Sequence, residues 1–218
     1  MPTRTRVAAR KTPNQDRAKA TVEAILMATA RVLIKDGYDG ASTNRIAEAA
    51  GVSIGSLYQY FPSKEALVGT LLDRHMAQMV SVFEETVQRV AGAPLHLATR
   101  ELVKAMIHAH AIDPKLHKIF AEQLPRHGRL QRIGEIERLV ADRLRMYLEM
   151  HRDAIRPKNL DLAVFLLVQL VESAGHGTIL DARNQFDTDE LAREVSDICL
   201  AYLIGPGSAA SDAYVSFK

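Results

Sequence analysis

From residue 16 to residue 204, apolar residues recur at helical spacing, and each interruption is a helix start or stop signal. Val22, Ile25, Leu26, Thr29, Val32 and Leu33 form one such stripe, ended by Gly37. Ser42 or Thr43 caps a short helix to Ala50, closed by Gly51, and Ser53 caps another from Ile54 to Tyr60. Pro62 then breaks the chain, and Ser63 opens a long fourth helix with Glu65 in its first turn. Gly92 and Pro94 separate helices four and five, and Asp113-Pro114 starts a short sixth. Pro125 and Gly128 precede a seventh over 130–152, Pro157 an eighth over 159–181, and Asp187 or Thr188 caps a ninth that stops before Gly205. Alternating strand patterns, internal repeats and low-complexity blocks are missing from the sequence. The expected fold is all-α, with about nine helices.

Composition supports this reading and narrows the setting. With no Trp and 47% hydrophobic residues, the core must be built from Leu, Ala, Val and Ile, which favours helices. A lone cysteine, Cys199, makes no internal disulfide, so a reducing, cytoplasmic setting is expected. The basic first residues are followed by no apolar run, so no secretory signal is expected. The apolar stretch 160–171 contains Asp161 and Gln169 and reads as a buried core helix rather than a membrane span. Charge is uneven: residues 1–64 hold ten Lys and Arg against five acids, while the whole chain is only +2. A basic end on an acidic body suits contact with a polyanion.

The window from Thr43 to Phe61 carries the most specific signal. Ala47 is small where two helices must cross, Gly51 permits a sharp turn, and Val52 and Leu57 fill the angle between the helices. This is a helix-turn-helix pattern, in which the second helix enters the DNA major groove. Thr43, Ser53, Ser56, Tyr58, Tyr60 and Lys64 offer hydroxyls and an ammonium to phosphate oxygens. Asn44 and Gln59 are amides suited to base edges. Ile54 and Gly55, at the start of the second helix, permit a methyl contact or a close approach.

The run from Thr43 to Leu67, with its Leu57-Tyr58-x-Tyr60-Phe61-x-Ser63-Lys64-Glu65-x-Leu67 continuation, closely resembles the signature of the TetR (tetracycline-repressor) family. The stretch Ile25-Leu26 to Gly37-Tyr38 is similar to that family's first helix, so the resemblance covers roughly residues 18–68. Ser56 stands where the family usually has Thr. The resemblance implies a regulator that binds double-stranded operator DNA as a homodimer and is released from it by a small-molecule effector. The implied layout is an arm over 1–15, a DNA-binding domain over 16–66, a ligand-binding and dimerisation domain over 67–204, and a flexible tail over 205–218.

Helices eight and nine are the expected dimer surface, with Leu167, Val171, Val195, Ile198 and Tyr202 as its contacts. An effector cavity is expected to touch Met79, Phe83, Phe120, Gln169, Ser173 and His176, because one face of helix eight turns from apolar to polar. No cofactor and no metal are expected. His108 and His110 point to different helix faces, and no His and acid cluster has convincing ligand spacing. Ser173, His176 and Asp181 lack a nucleophile elbow, so an enzyme is not expected. The rival readings are a helical enzyme on a helix-turn-helix scaffold and an effector-free DNA-binding or protein-interaction module. Convergent catalytic groups would favour the first, and a failed small-molecule thermal-shift screen the second.

Overall fold

Nine α-helices, and no strand, make up the described residues of the computed structural model, which are 13–123, 130–180 and 186–205. Most of the arm, most of the tail, Pro125, Gly128 and Asp181 lie outside them. The helices are α1 (Pro13–Gly40), α2 (Thr43–Ala50), α3 (Ile54–Tyr60), α4 (Lys64–Arg89), α5 (Leu95–His110), α6 (Pro114–Gln123), α7 (Leu130–Met150), α8 (Leu160–Leu180) and α9 (Thr188–Ile204). The chain divides into two units, Met1–Leu72 and Asp73–Lys218, with the boundary inside α4.

The observed elements follow the start and stop signals closely. Helix α1 begins three residues before the expected start at residue 16, because Pro13 suits a first helical turn. Its helical geometry breaks at Gly37, which sits at φ 71°. Ser42 caps α2 by accepting from the Arg45 N–H, and Ser53 caps α3 by accepting from the Ser56 N–H at 3.0 Å. Gly51 closes α2 at φ 69°, a conformation costly for any residue with a Cβ. In the first unit α2 packs against α1 and α3. Ile25, Leu33, Ile46, Leu57, Leu67 and Leu72 are its largest fully buried side chains. Burial of each contributes about 1.5–3 kcal/mol.

The second unit is organised around α5 and α8. Helix α5 packs on α8 and α9, and α8 also packs on α6, α7 and α9. Its core includes Met79, Phe83, Leu102, Met106, Leu148, Leu167 and Val195. Helix α8 is longer than the apolar stretch 160–171, because helical geometry continues through Glu172 and Ser173 to Leu180. By length and composition its segment Leu160–Thr178 could cross a membrane. Here its neighbours are other helices, and Ala163, Val164 and Leu167 are buried against them.

Candidate functional site

Local hydrogen bonds fix the working surface of α2 and α3. The Thr43 and Tyr58 hydroxyls meet at 3.1 Å, tying the start of α2 to the middle of α3. The Ser53 and Ser56 hydroxyls meet at 2.8 Å over the first turn of α3. Leu57 is fully buried and Phe61 nearly so, so these two anchor the inner side of the helix. Ile54, Tyr58 and Tyr60 are large side chains left exposed on the outer side. Asn44, Ser53, Gly55 and Gln59 are exposed as well.

Two residues on this surface depart from simple solvation. The Lys64 ammonium donates to the Tyr38 carbonyl at 2.9 Å and lies 4.3 Å above the centre of the Tyr38 ring. It is therefore pre-positioned by the protein rather than free to swing. Arg45, which the sequence reading passed over, pairs with Asp36 at 3.1 Å and donates to the Gly40 carbonyl, pinning α2 to the end of α1. Glu65 accepts from the Tyr38 hydroxyl at 3.3 Å. Hydrogen bonds from the backbone and from Ser63 hold its carboxyl below the usual range.

The second unit holds an almost wholly apolar, partly open pocket of about 70 Å³, bounded by residues that include Phe83, Met106, Leu144, Tyr147, Val171 and Glu172. The Tyr147 hydroxyl is buried and has no hydrogen-bond partner among the described residues. Burial raises its pKa.

Both units have counterparts among known proteins. The family model described as bacterial regulatory proteins, tetR family, matches residues 25–71. A second, described as tetracyclin repressor-like C-terminal domain, matches residues 94–203, half of the chain. The chain belongs to the TetR family. Among relatives, the fatty acid metabolism regulator protein of Bacillus subtilis is 34% identical over 74 residues, which are 34% of this chain and 38% of that protein. The matched stretch thus spans well under half of that relative. The repressor KstR of Mycobacterium tuberculosis is 27% identical over 181 residues, covering 69% of this chain and 81% of KstR. Among solved structures, NalD of Pseudomonas aeruginosa, the secondary repressor of the MexAB-OprM multidrug efflux pump, superposes with a TM-score of 0.72. It shares 20% identity over 87% of this chain and 98% of NalD.

Within this TetR-family fold, the expected effector residues separate. Phe83 lines the cavity. Met79 is buried in the same core without lining it. Gln169 and Ser173 are exposed, because the polar face of α8 turns outward there. Val168, Val171 and Glu172 form the α8 wall of the cavity instead. The expected dimer residues separate in the same way. Leu167 and Val195 are buried within the chain, so neither is free for a partner, and Val171 is half-buried and lines the cavity. Ile198 and Tyr202 on α9 are exposed, and so are Leu162, Phe165 and Leu166 on α8.

Phe120 and His176 belong to a different feature, which no single segment of the TetR-family sequence displays. His75 from α4, His110 from α5, His117 from α6, and Glu172 and His176 from α8 come together. Phe120 packs its ring 5.4 Å from His75. No His and acid cluster has convincing ligand spacing along the sequence, yet the helices gather residues far apart in sequence into one. Nitrogens of His110, His117 and His176 lie within 4.8 Å of one another. Burial, then the neighbouring histidines, push His117 down to about 3. Burial also lowers His75 and His176. Burial opposes charge on His110, but the Glu172 carboxylate outweighs it and leaves His110 raised. The one legible hint was the Glu172–His176 spacing of four residues on α8, where the pair stands 4.0 Å apart.

Proposed function

We propose that this chain is a dimeric transcriptional repressor that binds a palindromic operator and leaves it when a small molecule fills the second unit. The observation that carries the reading is the two-sided build of α3. Leu57 and Phe61 hold the helix from within, while Ile54, Tyr58, Gln59 and Tyr60 stand outward. An exposed surface with this chemistry suits phosphates and base edges. Thr43, Ser53, Ser56, Tyr58, Tyr60 and Lys64 would contact phosphate, and Asn44 and Gln59 would read bases. Gly55 supports close approach: a Cβ there would meet only the Ser53 hydroxyl, at 3.9 Å, so no contact inside the protein demands glycine.

The dimer surface follows from what the protomer leaves uncovered. Leu162, Phe165 and Leu166 on α8 and Ile198 and Tyr202 on α9 are the large apolar side chains these two helices leave exposed. A two-fold pairing of these helices makes a four-helix bundle. Two joined readers then engage two half-sites about one helical turn apart.

The effector class follows from the cavity. Its walls are apolar apart from Thr99, the Tyr147 hydroxyl and the Glu172 carboxylate, which suits a small lipid-like molecule with one hydrogen-bonding group. Similarity to a fatty acid metabolism regulator protein supports that class. The cavity of about 70 Å³ is far below the roughly 300–1,000 Å³ of typical ligand sites. An effector must therefore widen it, and so favours a different arrangement of the second unit. Selection of binding sites from random duplex DNA with the purified protein tests the reading. Enrichment of a palindrome that dissociates on addition of a lipid-like effector is expected, and recovery of no enriched palindrome overturns it.

A further inference from the structure

We propose that His110, His117 and His176, with Glu172 beside them, form a binding site for a divalent transition-metal ion of the zinc type. Four helices contribute to it. His110 closes α5, His117 lies in α6, Glu172 and His176 share one face of α8, and His75 reaches in from α4.

The hydrogen bonds already set the rings for ligation. His110 Nδ1 lies 2.7 Å from the Met106 carbonyl, which can only accept, so Nδ1 carries a proton and Nε2 faces inward. That Nε2 is 3.1 Å from Glu172 Oε2. His117 Nε2 lies 2.8 Å from His176 Nε2, and its Nδ1 lies 2.8 Å from His75 Nε2. Metal-bound imidazoles are held in this way, with the outer nitrogen donating to a carbonyl or another acceptor. Met106 and His75 are in place to accept from His110 and His117.

The dimensions also fit. Zinc–nitrogen bonds of about 2.0–2.1 Å in a tetrahedron put neighbouring ligand atoms about 3.3 Å apart. The present separations of 2.8, 3.1 and 4.0 Å straddle that value. The ligand nitrogens of the three histidines all lie within 4.8 Å of one another, so an ion would draw the wider pairs together and open the His117–His176 pair slightly. On metal entry, the hydrogen between His117 and His176 moves to an outer ring nitrogen. The one between His110 and Glu172 leaves to solvent, and the carboxylate keeps its charge for the ion.

A second feature indicates that the cluster is built. At Gly175 an added Cβ would stand 2.9 Å from Cγ of the His110 ring, so α8 meets that ring with bare backbone. Glu172 also lines the apolar cavity and is the one acid among its walls. An ion bound here would fix the polar end of that cavity.

Direct titration tests the site without relying on DNA binding, so its failure would leave the repressor reading standing. Chelator-stripped full-length protein is titrated with Zn²⁺ against a chromophoric chelator, and with Co²⁺ for its visible absorption. One ion per protomer and a tetrahedral Co²⁺ spectrum are expected. His176→Ala, at the half-exposed edge of the cluster, should keep the helical circular-dichroism signal and weaken Zn²⁺ binding about 100-fold or more. His75→Ala should weaken it roughly 10–100-fold, and His96→Ala not at all. No binding at micromolar zinc, or binding by the His176→Ala and His117→Ala proteins equal to the parent, overturns the proposal.

Discussion

The surface on α2 and α3 that is proposed to read DNA and the histidine cluster of the second unit solve opposite problems. On that surface the polar groups stand outside, and local bonds place them: Ser53 to Ser56 spans three residues and Thr43 to Tyr58 fifteen. In the cluster the polar groups are inside, and the bonds that join them span 42, 59 and 62 residues. A surface that meets a partner needs only a stiff short frame behind it. A buried polar group must find partners to offset its desolvation, and in a helical fold those partners come from other helices. The first kind of site is therefore modular, while the second depends on the whole unit.

The same division between inside and outside governs α9, where the largest effect is expected. Val195 is 3% exposed and Ile198 is 53% exposed. Val195→Asp puts a charge into the protomer core and should cost on the order of 4–5 kcal/mol or more, enough to unfold the unit. Ile198→Asp should leave the protomer folded, within about 0.5 kcal/mol of its own stability. It should still break the proposed dimer, in which it would face its own copy. Thermal melting and sedimentation separate the two outcomes. A folded, fully dimeric Ile198→Asp protein would show that α9 is not the interface.

Next in size is the contrast between the two sides of α3. Leu57→Ala removes a fully buried anchor and should destabilise the first unit by about 2–5 kcal/mol. Tyr58→Phe removes only an exposed hydroxyl and its bond to Thr43, worth about 0.5–1.5 kcal/mol. Its larger effect should fall on DNA affinity, measured by fluorescence anisotropy. Equal DNA binding by Tyr58→Phe and the parent would remove that hydroxyl from the contact set.

The contrast also explains what the sequence disclosed. The helix boundaries were legible because caps and stops are local: Ser42, Gly51, Ser53 and Pro62 act within a turn of their own position. The outward set on α3 was legible for the same reason. Which apolar residues of α8 and α9 serve the protomer and which remain outside was not legible. Val195 and Ile198 are three residues apart and equally apolar, and only the packing of α5 against α9 distinguishes them. The cluster was hidden because periodicity along one helix says nothing about which turns of four helices will meet.

Lys64 shares a trait of each kind of site, since it is half-buried yet borders the exposed surface of α2 and α3. Lys64→Gln should lower the slope of log affinity against log salt by about one if the ammonium also reaches a phosphate. The loss should be the same for all DNA sequences. An unchanged slope with a lowered melting temperature would assign Lys64 to Tyr38 alone, through the 2.9 Å bond and the ring beneath it.

The smallest effect on stability falls at Gly55, and there stability and function should move in opposite directions. Glycine inside a helix costs roughly 1 kcal/mol relative to alanine, chiefly through backbone entropy. At Gly51 that cost is unavoidable, because φ is 69°. At Gly55 the conformation is ordinary helix, and a Cβ would meet only the Ser53 hydroxyl, at 3.9 Å. Gly55→Ala should therefore raise the stability of the first unit by up to about 1 kcal/mol. If DNA backbone or a base edge comes within van der Waals reach of this position, the same methyl must push it away. Affinity for the selected operator should then fall while the melting temperature rises. A protein that gains stability and keeps full affinity would place the close approach elsewhere on α3 and leave Tyr58, Gln59 and Tyr60 as the contacting set.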